Sequence, residues 1–372
     1  MSTTVCLATI GYPEGGGHMW VYLNWALGLQ AQGCNVIWLE PVDGRDVFNI
    51  QQRLSGLKQH LAPFGLDRSI ALVSRHGLPS EIEGQCIDLD ETVEAELLVN
   101  FWYQMPPDLV QRFRRTALID IDPGLLQGWM DRQENLVPPH DLYVTTGEKV
   151  GRSQAGSSAG GRLWHFIPPC VSLDHWPVRP AEEDAPYTTV SHWQMGEWEY
   201  DGDEVYSNDK RTGFLPFIDL PLLADASLEL ALYLSDDDRA EMDEWRRRGW
   251  SIRDSRSVSA TPLDYRRYIQ SSRGEFSAVK PSCVRLQNAW ISDRTICYLA
   301  SGKPVIVQHT GPSRVLPDSS GLFRVRDVEE AARALELVED NYEEHCRAAR
   351  RLAESQFSAE RAGARLLEIA LS

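Results

Sequence analysis

The chain has 372 residues, enough for two domains of ordinary size. Its formal net charge of −17 disfavours a nucleic-acid or anionic-membrane surface, because either needs a basic face, but a local basic pocket remains compatible with it. The seven cysteines include no Cys-x-x-Cys pair, no stretch approaches transmembrane length, and the first residues lack signal-peptide features, so the sequence predicts a cytoplasmic protein with reduced thiols.

The first forty residues have the pattern of a strand–loop–helix–strand unit. Val5 to Ile10 is an apolar run without periodicity, as in a buried parallel strand. A glycine-rich loop from Gly11 to Gly17 follows, and apolar residues then recur at helical spacing from Trp20 to Ala31. Val36 to Leu39 is the next apolar run. This order predicts the start of a doubly wound α/β domain.

The same unit leaves an alternative open. Its loop lacks the Gly-x-Gly-x-x-Gly spacing of dinucleotide-binding proteins. Glu40, however, ends the second predicted strand, where such folds place the acid that binds a ribose. An NAD-linked enzyme is therefore an alternative interpretation.

The rest of the first half alternates predicted strands with predicted helices. The further strands are Ile70–Val73, Ala117–Ile121, Asp141–Thr145 and Trp164–Ile167. The further helices are Gln51–Ala62 and Asp108–Arg115, and Glu91–Tyr103 is a helix or a helix–strand mixture. Five prolines among many charges between Pro168 and Pro186 predict the interdomain linker. We therefore expect domains at residues 1–170 and 171–357 and a separate C-terminal helix at 358–372.

The second half repeats this alternation. Predicted strands are Thr188–His192, Leu228–Leu234 and Trp250–Arg253, and predicted helices are Ala240–Arg248, Pro262–Ser271, Val328–Phe357 and Ala359–Leu371. A polar, aromatic segment from Trp193 to Asn208 has no assigned structure.

The stretch from Gly274 to Gly311 has the clearest local signals. Ser292 and Asp293 are good N-cap residues for a helix that reaches Ala300. Gly302 and Pro304 then end that helix. Val305–Val307 follows as a short buried strand.

A helix N-terminus with a cation beside it is a ready anion site. Arg294 supplies that cation, and Lys280 and Lys303 add charge. A diphosphate is the simplest anion for this place. The alternative is an ordinary capped helix with solvated basic residues.

A family resemblance enters at these residues. Leu299-Ala-Ser-Gly-Lys-Pro-Val resembles the Leu-Ala-x-Gly-x-Pro-Val segment at the nucleotide-sugar site of GT-B glycosyltransferases. Ser292-Asp-Arg-Thr with Gln308-His-Thr-Gly is most similar to the branch that includes spore-maturation CgeB-like proteins. The likeness spans about Tyr265 to Phe357. Many retaining members carry two Glu residues seven apart, and that motif cannot be assigned here, since Glu275 and Asp293 are eighteen apart.

The resemblance implies an α/β protein with two Rossmann-like domains facing a cleft and a C-terminal helix that returns to the first domain. The second domain would hold a nucleoside-diphosphate sugar, UDP- or dTDP-linked, as co-substrate, with no other cofactor and no bound metal. The donor-binding candidates are Lys210, Arg211, Glu275, Lys280, Ser292, Asp293, Arg294, Thr295, His309, Thr310 and Gly311. The alternative is that Lys210 and Arg211 are solvated loop charges and Glu275 is a loop acid.

The first domain would hold the acceptor. His18 follows Gly15, Gly16 and Gly17, the candidate acceptor or phosphate loop, at a predicted helix start that disfavours imidazolium. In inverting GT-B enzymes a His at this point is the base, and an Asp about a hundred residues later orients it. Asp120 and Asp122 lie 102 and 104 residues further on, so they are the candidate partners of His18. The alternative is a ligand-contacting His18 and an Asp122-Pro-Gly turn.

The sequence thus predicts a metal-independent glycosyltransferase that moves a hexose-type sugar from a nucleotide sugar to a hydroxyl or amine of a small-molecule acceptor. Alternatives are a GT-B epimerase or hydrolase, a catalytically silent sugar-nucleotide-binding protein and, less favoured, the NAD-linked enzyme.

Overall fold

A computed structural model describes residues 2–11, 15–43, 46–133, 135–151, 159–202, 204–318 and 320–372. The chain divides into two compact units. The first comprises residues 1–14, 18–172 and 359–372, and the second comprises residues 15–17 and 173–358. Among the described residues, no helix has both the length and the apolar character needed to cross a bilayer.

The first unit is built on a parallel sheet of seven strands. These are β1 (Thr4–Ala8), β2 (Asn35–Pro41), β3 (Ile70–Val73), β4 (Leu97–Asn100), β5 (Thr116–Asp120), β6 (Leu142–Thr145) and β7 (Trp164–Phe166). Their spatial order is β3-β2-β1-β4-β5-β6-β7. Every residue of β3, β4 and β5 is buried, because helices cover both faces of the sheet.

The helices of this unit fill the connections between strands. They are α1 (Gly16–Ala31), α2 (Val47–Leu61), α3 (Leu89–Thr92), α4 (Pro107–Val110) and α5 (Leu125–Arg132), with a 3-10 turn at Ala62–Phe64. Gly16 and Gly17 of α1 group with the second unit. The predicted helix at Asp108–Arg115 was wrong in length, because the helix ends at Val110 after one turn. The ambiguous segment Glu91–Tyr103 contains the end of α3 and the whole of β4.

The second unit has a six-stranded parallel sheet and a separate hairpin. The strands are β8 (Tyr187–His192), β9 (Trp198–Asp201), β10 (Glu204–Ser207), β11 (Leu228–Tyr233), β12 (Ser251–Asp254), β13 (Gly274–Ser277), β14 (Val305–Gln308) and β15 (Leu322–Val325). The sheet order is β12-β11-β8-β13-β14-β15. Both sheets are thus doubly wound around a central first strand, which confirms the predicted α/β class.

Nine helices belong to the described part of the second unit. They are α6 (Lys210–Phe214), α7 (Leu220–Leu223), α8 (Arg239–Arg247), α9 (Arg256–Ser259), α10 (Pro262–Ser271), α11 (Pro281–Leu286), α12 (Asp293–Ala300), α13 (Val328–Asp340) and α14 (Tyr342–Gln356). The predicted single helix Val328–Phe357 was wrong, because Asn341 leaves the helical region at φ −140° and ψ 43° and separates α13 from α14. A large aromatic cluster fills the core, including Trp193, Phe214, Phe217, Trp245 and Phe276.

The segment without an assigned structure contains the hairpin of β9 and β10, which pair antiparallel. Arg285 of α11 forms ion pairs with Asp201 and Glu204 and lies 4.1 Å from the centroid of the Tyr206 ring. These contacts fix the hairpin on α11.

The C-terminal helix α15 (Ala359–Leu371) belongs to the first unit. Gln32 donates from Nε2 to the carbonyl of Glu360 at 3.1 Å, and Arg115 donates from Nε to the carbonyl of Ala370 at 2.8 Å. Gly28 has no room for a Cβ, which would lie 2.3 Å from the carbonyl oxygen of Ala359. The predicted return of the last helix to the first domain is therefore confirmed.

Candidate active site

The N-terminus of α12 is built as predicted. Ser292 has extended backbone angles, and its Oγ accepts a hydrogen bond from the Arg294 amide at 3.2 Å, so the predicted N-cap is confirmed. Asp293 is the first residue of the helix, and the side chain of Thr295 is buried within it.

A buried ion pair joins α12 to the sheet. Arg294 Nε lies 2.7 Å from Oε1 of Glu275, and the two side chains are 11% and 0% exposed. The guanidinium also donates to the carbonyl of Val190 at 2.8 Å and to Oγ of Ser277 at 2.5 Å. Glu275 lies inside β13, so its interpretation as a loop acid was wrong. Three protein partners for one guanidinium make Arg294 a brace between the helix and two strands.

Lys210 is the second cation near this helix. It is the first residue of α6, and its Nζ donates to the carbonyl of Ala278 at 3.2 Å and lies 5.8 Å from the centroid of the Trp290 ring. Burial, with the nearby charge of Arg294, lowers the pKa of Lys210 to about 7. A pKa this far below the usual range for lysine is typical of functional sites.

The other two basic candidates, Lys280 and Arg211, have different surroundings. Lys280 forms an ion pair with Glu197, and its charge reaches Lys210. Arg211, in contrast, directs its guanidinium to Glu241 of α8 at 2.8 Å. We call Lys210, Lys280 and Arg294 the cation cluster. When Lys210 is protonated, the three positive charges of this cluster face two carboxylates, those of Glu197 and Glu275.

His192 is the last residue of β8, and the sequence favours only a structural role for it because no motif surrounds it. Its Nδ1 is buried without a hydrogen-bond partner among the described residues. Burial, together with the charge of Lys280, lowers the pKa of His192. Its imidazole is therefore neutral at pH 7, with one N–H donor and one acceptor nitrogen.

Lys303 does not join the cation cluster. It directly precedes β14, at the amino edge of the sheet, whereas α6 and α12 begin at the carboxyl edge. The residue is fully buried, its Nζ lacks a partner among the described residues, and burial lowers its pKa to about 8. The expectation that Lys303 adds charge beside Arg294 was therefore wrong.

The loop after β14 contains the candidates His309, Thr310 and Gly311. Thr310 and Gly311 pack against the protein, whereas His309 lines a cavity. Thr310 donates from Oγ1 to the carbonyl of Trp290 at 2.6 Å. Gly311 has φ of +116° and no room for a Cβ beside the backbone of Gln287. His309 lines a cavity at the end of the sheet. Whether any of the three contacts a donor stays a prediction.

In the first unit, Asp120 ends β5 and is fully buried. Its carboxylate accepts hydrogen bonds from Gln127 Nε2 at 2.8 Å, from Thr145 Oγ1 at 2.7 Å and from the Asp122 amide at 2.9 Å. Burial raises the pKa of Asp120 to about 7 despite these donors. The carboxylate thus ties together β5, β6 and α5.

The remaining dyad candidates lie at the same edge of this sheet. His18 is in the first turn of α1, after β1, with Nε2 2.6 Å from the hydroxyl of Tyr22. Asp122 accepts a hydrogen bond from the hydroxyl of Tyr103 at 3.1 Å. Strand β4 lies between β1 and β5, so the two chain segments flank one strand. The dyad of His18 with Asp120 or Asp122 stays a prediction.

Two further predictions concern the N-terminal loop. Residues 12–14 of it lie outside the described residues. Gly16 and Gly17 have no room for a Cβ, which would meet Thr261 and Tyr265 of the same unit, so close packing explains these two glycines. Gly15 has φ of +109°, which favours glycine. A role of this loop in binding acceptor or phosphate stays a prediction.

Glu40 is the acid on which the NAD alternative depends. Its carboxylate accepts hydrogen bonds from Thr9 and from Trp38 Nε1, and Arg53 lies 2.9 Å from it. Arg53 also donates to the carbonyl of Gly11. Glu40 is therefore engaged in contacts within the protein at the end of β2. Because these contacts occupy the carboxylate that would bind a ribose, they weaken the NAD alternative.

Among the described residues, no group of three or more His, Cys, Asp or Glu side chains is placed to hold a metal ion. Metal independence stays a prediction.

No protein-family model and no curated protein sequence matches this chain. Solved structures do match it along its whole length. The Anabaena protein Alr3699/HepE in complex with UDP has a TM-score of 0.59 at 12% identity, covering 99% of both chains. Sucrose-phosphate synthase from Thermosynechococcus elongatus has a TM-score of 0.59 at 11% identity, covering 99% of this chain and 98% of its own.

A third match is AviGT4, a glycosyltransferase involved in avilamycin A biosynthesis, with a TM-score of 0.57 at 14% identity, covering 99% of this chain and 97% of its own. These structurally similar proteins are GT-B glycosyltransferases. The chain has the GT-B fold. In such a doubly wound domain, ligands bind at the carboxyl ends of the strands, which is the edge that carries the cation cluster of this GT-B protein.

Proposed function

We propose that this protein is a glycosyltransferase that moves a hexose-type sugar from a nucleoside-diphosphate sugar to a hydroxyl or amine of a small-molecule acceptor, without a bound metal. The observation that carries the proposal is the cation cluster at the carboxyl edge of the second sheet of a GT-B fold. A diphosphate there would balance the surplus positive charge and stabilise the leaving group as the glycosidic bond breaks.

The donor we propose is UDP- or dTDP-linked. Its support is that structures of the Anabaena protein hold UDP or UDP-glucose. Lys210 is the favoured diphosphate ligand, since among the described residues its ammonium donates to one carbonyl, and its charge has like-charged neighbours. The neutral imidazole of His192 is a further donor or acceptor for the same ligand.

Three finer points belong to the same proposal. The sequence motifs at Ser292 and Gln308 support placing this protein in the CgeB-like branch. The net charge of −17 supports a small-molecule acceptor over a nucleic acid, and the seven free cysteines support the reducing environment of the cytoplasm. His18 is the proposed base, in the event that transfer inverts the donor configuration.

Calorimetric titration with UDP, dTDP and NAD tests the donor site. We expect UDP or dTDP to bind and NAD not to bind. Binding of NAD with no binding of either diphosphate would overturn the proposal in favour of a dinucleotide enzyme.

Incubation with UDP-glucose, with and without a panel of hydroxylated acceptors, separates the remaining alternatives. A glycoside product supports transfer. Glucose released at the same rate without any acceptor indicates a hydrolase, and donor binding without turnover indicates a silent binding protein.

A further inference from the structure

A cavity of about 550 Å³ opens at the ends of β14 and β15 in the second unit. Its polar lining includes Gln308, His309, Asp318, Arg324 and Arg326. This volume lies within the range of small-molecule sites in proteins. Two guanidinium groups and one carboxylate make the lining basic, although the chain as a whole is strongly acidic.

The two arginines reach the cavity because of their position on β15. Arg324 is in the strand, and Arg326 follows two residues later, so both side chains project from the same face. The guanidinium of Arg324 is held by Asp318 at 2.6 Å and by the carbonyl of Gly311 at 2.7 Å, with 3% of its side chain exposed. Arg324 is therefore fixed in place before any ligand arrives.

Arg326 is the exposed member of this pair. Its side chain is 62% exposed, and its ion pair with Glu330 is long, at 3.6 Å. An exposed pair of this kind contributes little stability and competes weakly with a ligand. Five N–H donors in a planar fork suit carboxylate and phosphate oxygens.

His309 adds a neutral donor to the cavity. Its Nδ1 accepts a hydrogen bond from the Gly311 amide at 3.1 Å, which places the proton of the neutral ring on Nε2. A ligand oxygen would therefore meet one N–H from imidazole beside the two guanidinium groups.

The cavity is distinct from the cation cluster. Lys210 and Arg294 contact residues of β8 and β13 and of the segment after β13, whereas the cavity lies at β14 and β15, the next two strands in the sheet order. Gln308 lies at the boundary, because it lines the cavity and its Oε1 accepts a hydrogen bond from the Val279 amide at 3.1 Å.

We propose that this cavity binds an anionic group, a carboxylate or a phosphate ester, of a small ligand other than the diphosphate of the donor. Arg324 is its fixed partner, and Arg326 moves from Glu330 to complete the site. The inference does not depend on the proposed transfer reaction, since it stands on the lining of the cavity.

Methyl phosphate and acetate are the probes, followed by ³¹P and ¹H NMR line broadening on the full chain. We expect saturable binding of at least one probe, and the comparison between the two identifies which anion the site prefers. Arg326→Gln should weaken that binding about 10- to 100-fold, the worth of a charge-assisted hydrogen bond. Saturating UDP should leave the binding unchanged.

Arg347→Gln is the matched control. Arg347 is 63% exposed and pairs with Glu343 four residues away at 3.4 Å, almost as Arg326 pairs with Glu330, but it does not line the cavity. Equal binding by Arg326→Gln and wild type, equal losses in both variants, no saturation by either probe, or displacement of the probe by UDP would each overturn the proposal. The last result would assign the anion to the cation cluster.

Discussion

Each of the two sheets has an ionisable group with a shifted pKa at its carboxyl edge, and the two groups have different hydrogen-bond partners and neighbouring charges. In the first unit, the Asp120 carboxylate receives three hydrogen bonds from its own surroundings. In the second unit, the Lys210 ammonium has one carbonyl acceptor and two cations, Arg294 and Lys280, as neighbours. Both pKa values move to about 7, mainly through burial.

The difference separates structural groups from ligand-binding groups. Donors from Gln127 and Thr145 satisfy Asp120, so a ligand would have to displace existing bonds to reach it. Within the described part of the chain, Lys210 uses one of its three N–H donors, so an anion that accepts the others would stabilise its charge. The comparison therefore predicts a binding role for the cation cluster and a bracing role for Asp120, with His18 as the group of the first unit left for chemistry.

The largest expected effect concerns His18 in the first unit, and it tests whether His18 is the reactive group there. His18→Ala should lower turnover by about 10²–10⁴-fold, because a general base contributes on that scale. UDP affinity should not change, since His18 is not part of the cation cluster. Steady-state kinetics and calorimetry measure the two quantities.

Tyr22→Phe is the control for His18→Ala. It removes only the hydroxyl that lies 2.6 Å from Nε2 of His18, so its effect on turnover should be far smaller. Near-wild-type turnover of His18→Ala, or a product that keeps the anomeric configuration of the donor by NMR, would contradict the role as base and leave the proposed transfer intact.

The second effect concerns stability and tests whether Arg294 belongs to the core. Arg294→Met leaves Glu275 buried without its ion-pair partner, so the free energy of unfolding should fall by about 3–5 kcal/mol. Arg294→Met combined with Glu275→Leu should restore much of that loss, because no uncompensated charge remains. Urea unfolding measures both variants.

Arg285→Met is the surface control for Arg294→Met. It removes exposed ion pairs with Asp201 and Glu204, and pairs of this kind contribute about 0–1 kcal/mol. A loss of similar size in Arg294→Met would contradict the role of Arg294 as a core brace.

Sequence reasoning succeeded where structure is decided locally. The helix Pro262–Ser271 has the predicted bounds, since Thr261 caps it and Pro262 suits its first turn. The strand Ile70–Val73 also has the predicted bounds, because a short apolar run between turn residues needs no distant partner to be recognised. Ser292 capped α12 for a local reason too.

The features that were missed depend on partners far away in sequence. Glu275 is a strand residue because Arg294, nineteen positions later, neutralises it, and a charged residue in a short segment otherwise indicates a loop. The hairpin at Trp198–Ser207 contacts Arg285, which is more than eighty positions from Glu204. The direction of Arg211 towards Glu241 likewise has no signature near Arg211. Tertiary contacts, and not local propensity, decided these cases.

The third effect concerns Lys210 in the second unit, and it tests whether Lys210 binds the donor diphosphate. Lys210→Met should weaken UDP binding by about 1.5–3 kcal/mol, the scale of a charge-assisted hydrogen bond. In the wild type, affinity should also fall as the pH rises above about 7, because the ligand binds the protonated amine. Calorimetry in buffers of different ionisation enthalpy should detect proton uptake on binding, which the variant lacks.

Arg211→Met is the control for Lys210→Met. Its guanidinium is held by Glu241, so its removal should leave UDP affinity nearly unchanged. Equal losses in the two variants would contradict the distinction between a surplus cation and a balanced one.

The last effect tests the bracing role of Asp120 through pH. The folded-state pKa of about 7 lies above the ordinary value of 3.8, so the folded protein binds more protons than the unfolded chain between about pH 4 and pH 7. The contribution of Asp120 to stability is then fully present below about pH 4 and is lost as the pH rises through 7. Asp120→Asn removes this titration and should change the slope of the free energy of unfolding against pH by at most about 1.4 kcal/mol per pH unit.

His140 acts with the opposite sign, since burial lowers its pKa to about 4, but it contributes equally to both proteins and cancels in their difference. Urea unfolding of both proteins from pH 4 to 8 should therefore give a wild-type advantage that shrinks with rising pH. An advantage that stays nearly constant over this range would mean that the donors from Gln127 and Thr145 outweigh burial and hold Asp120 ionised at every pH tested.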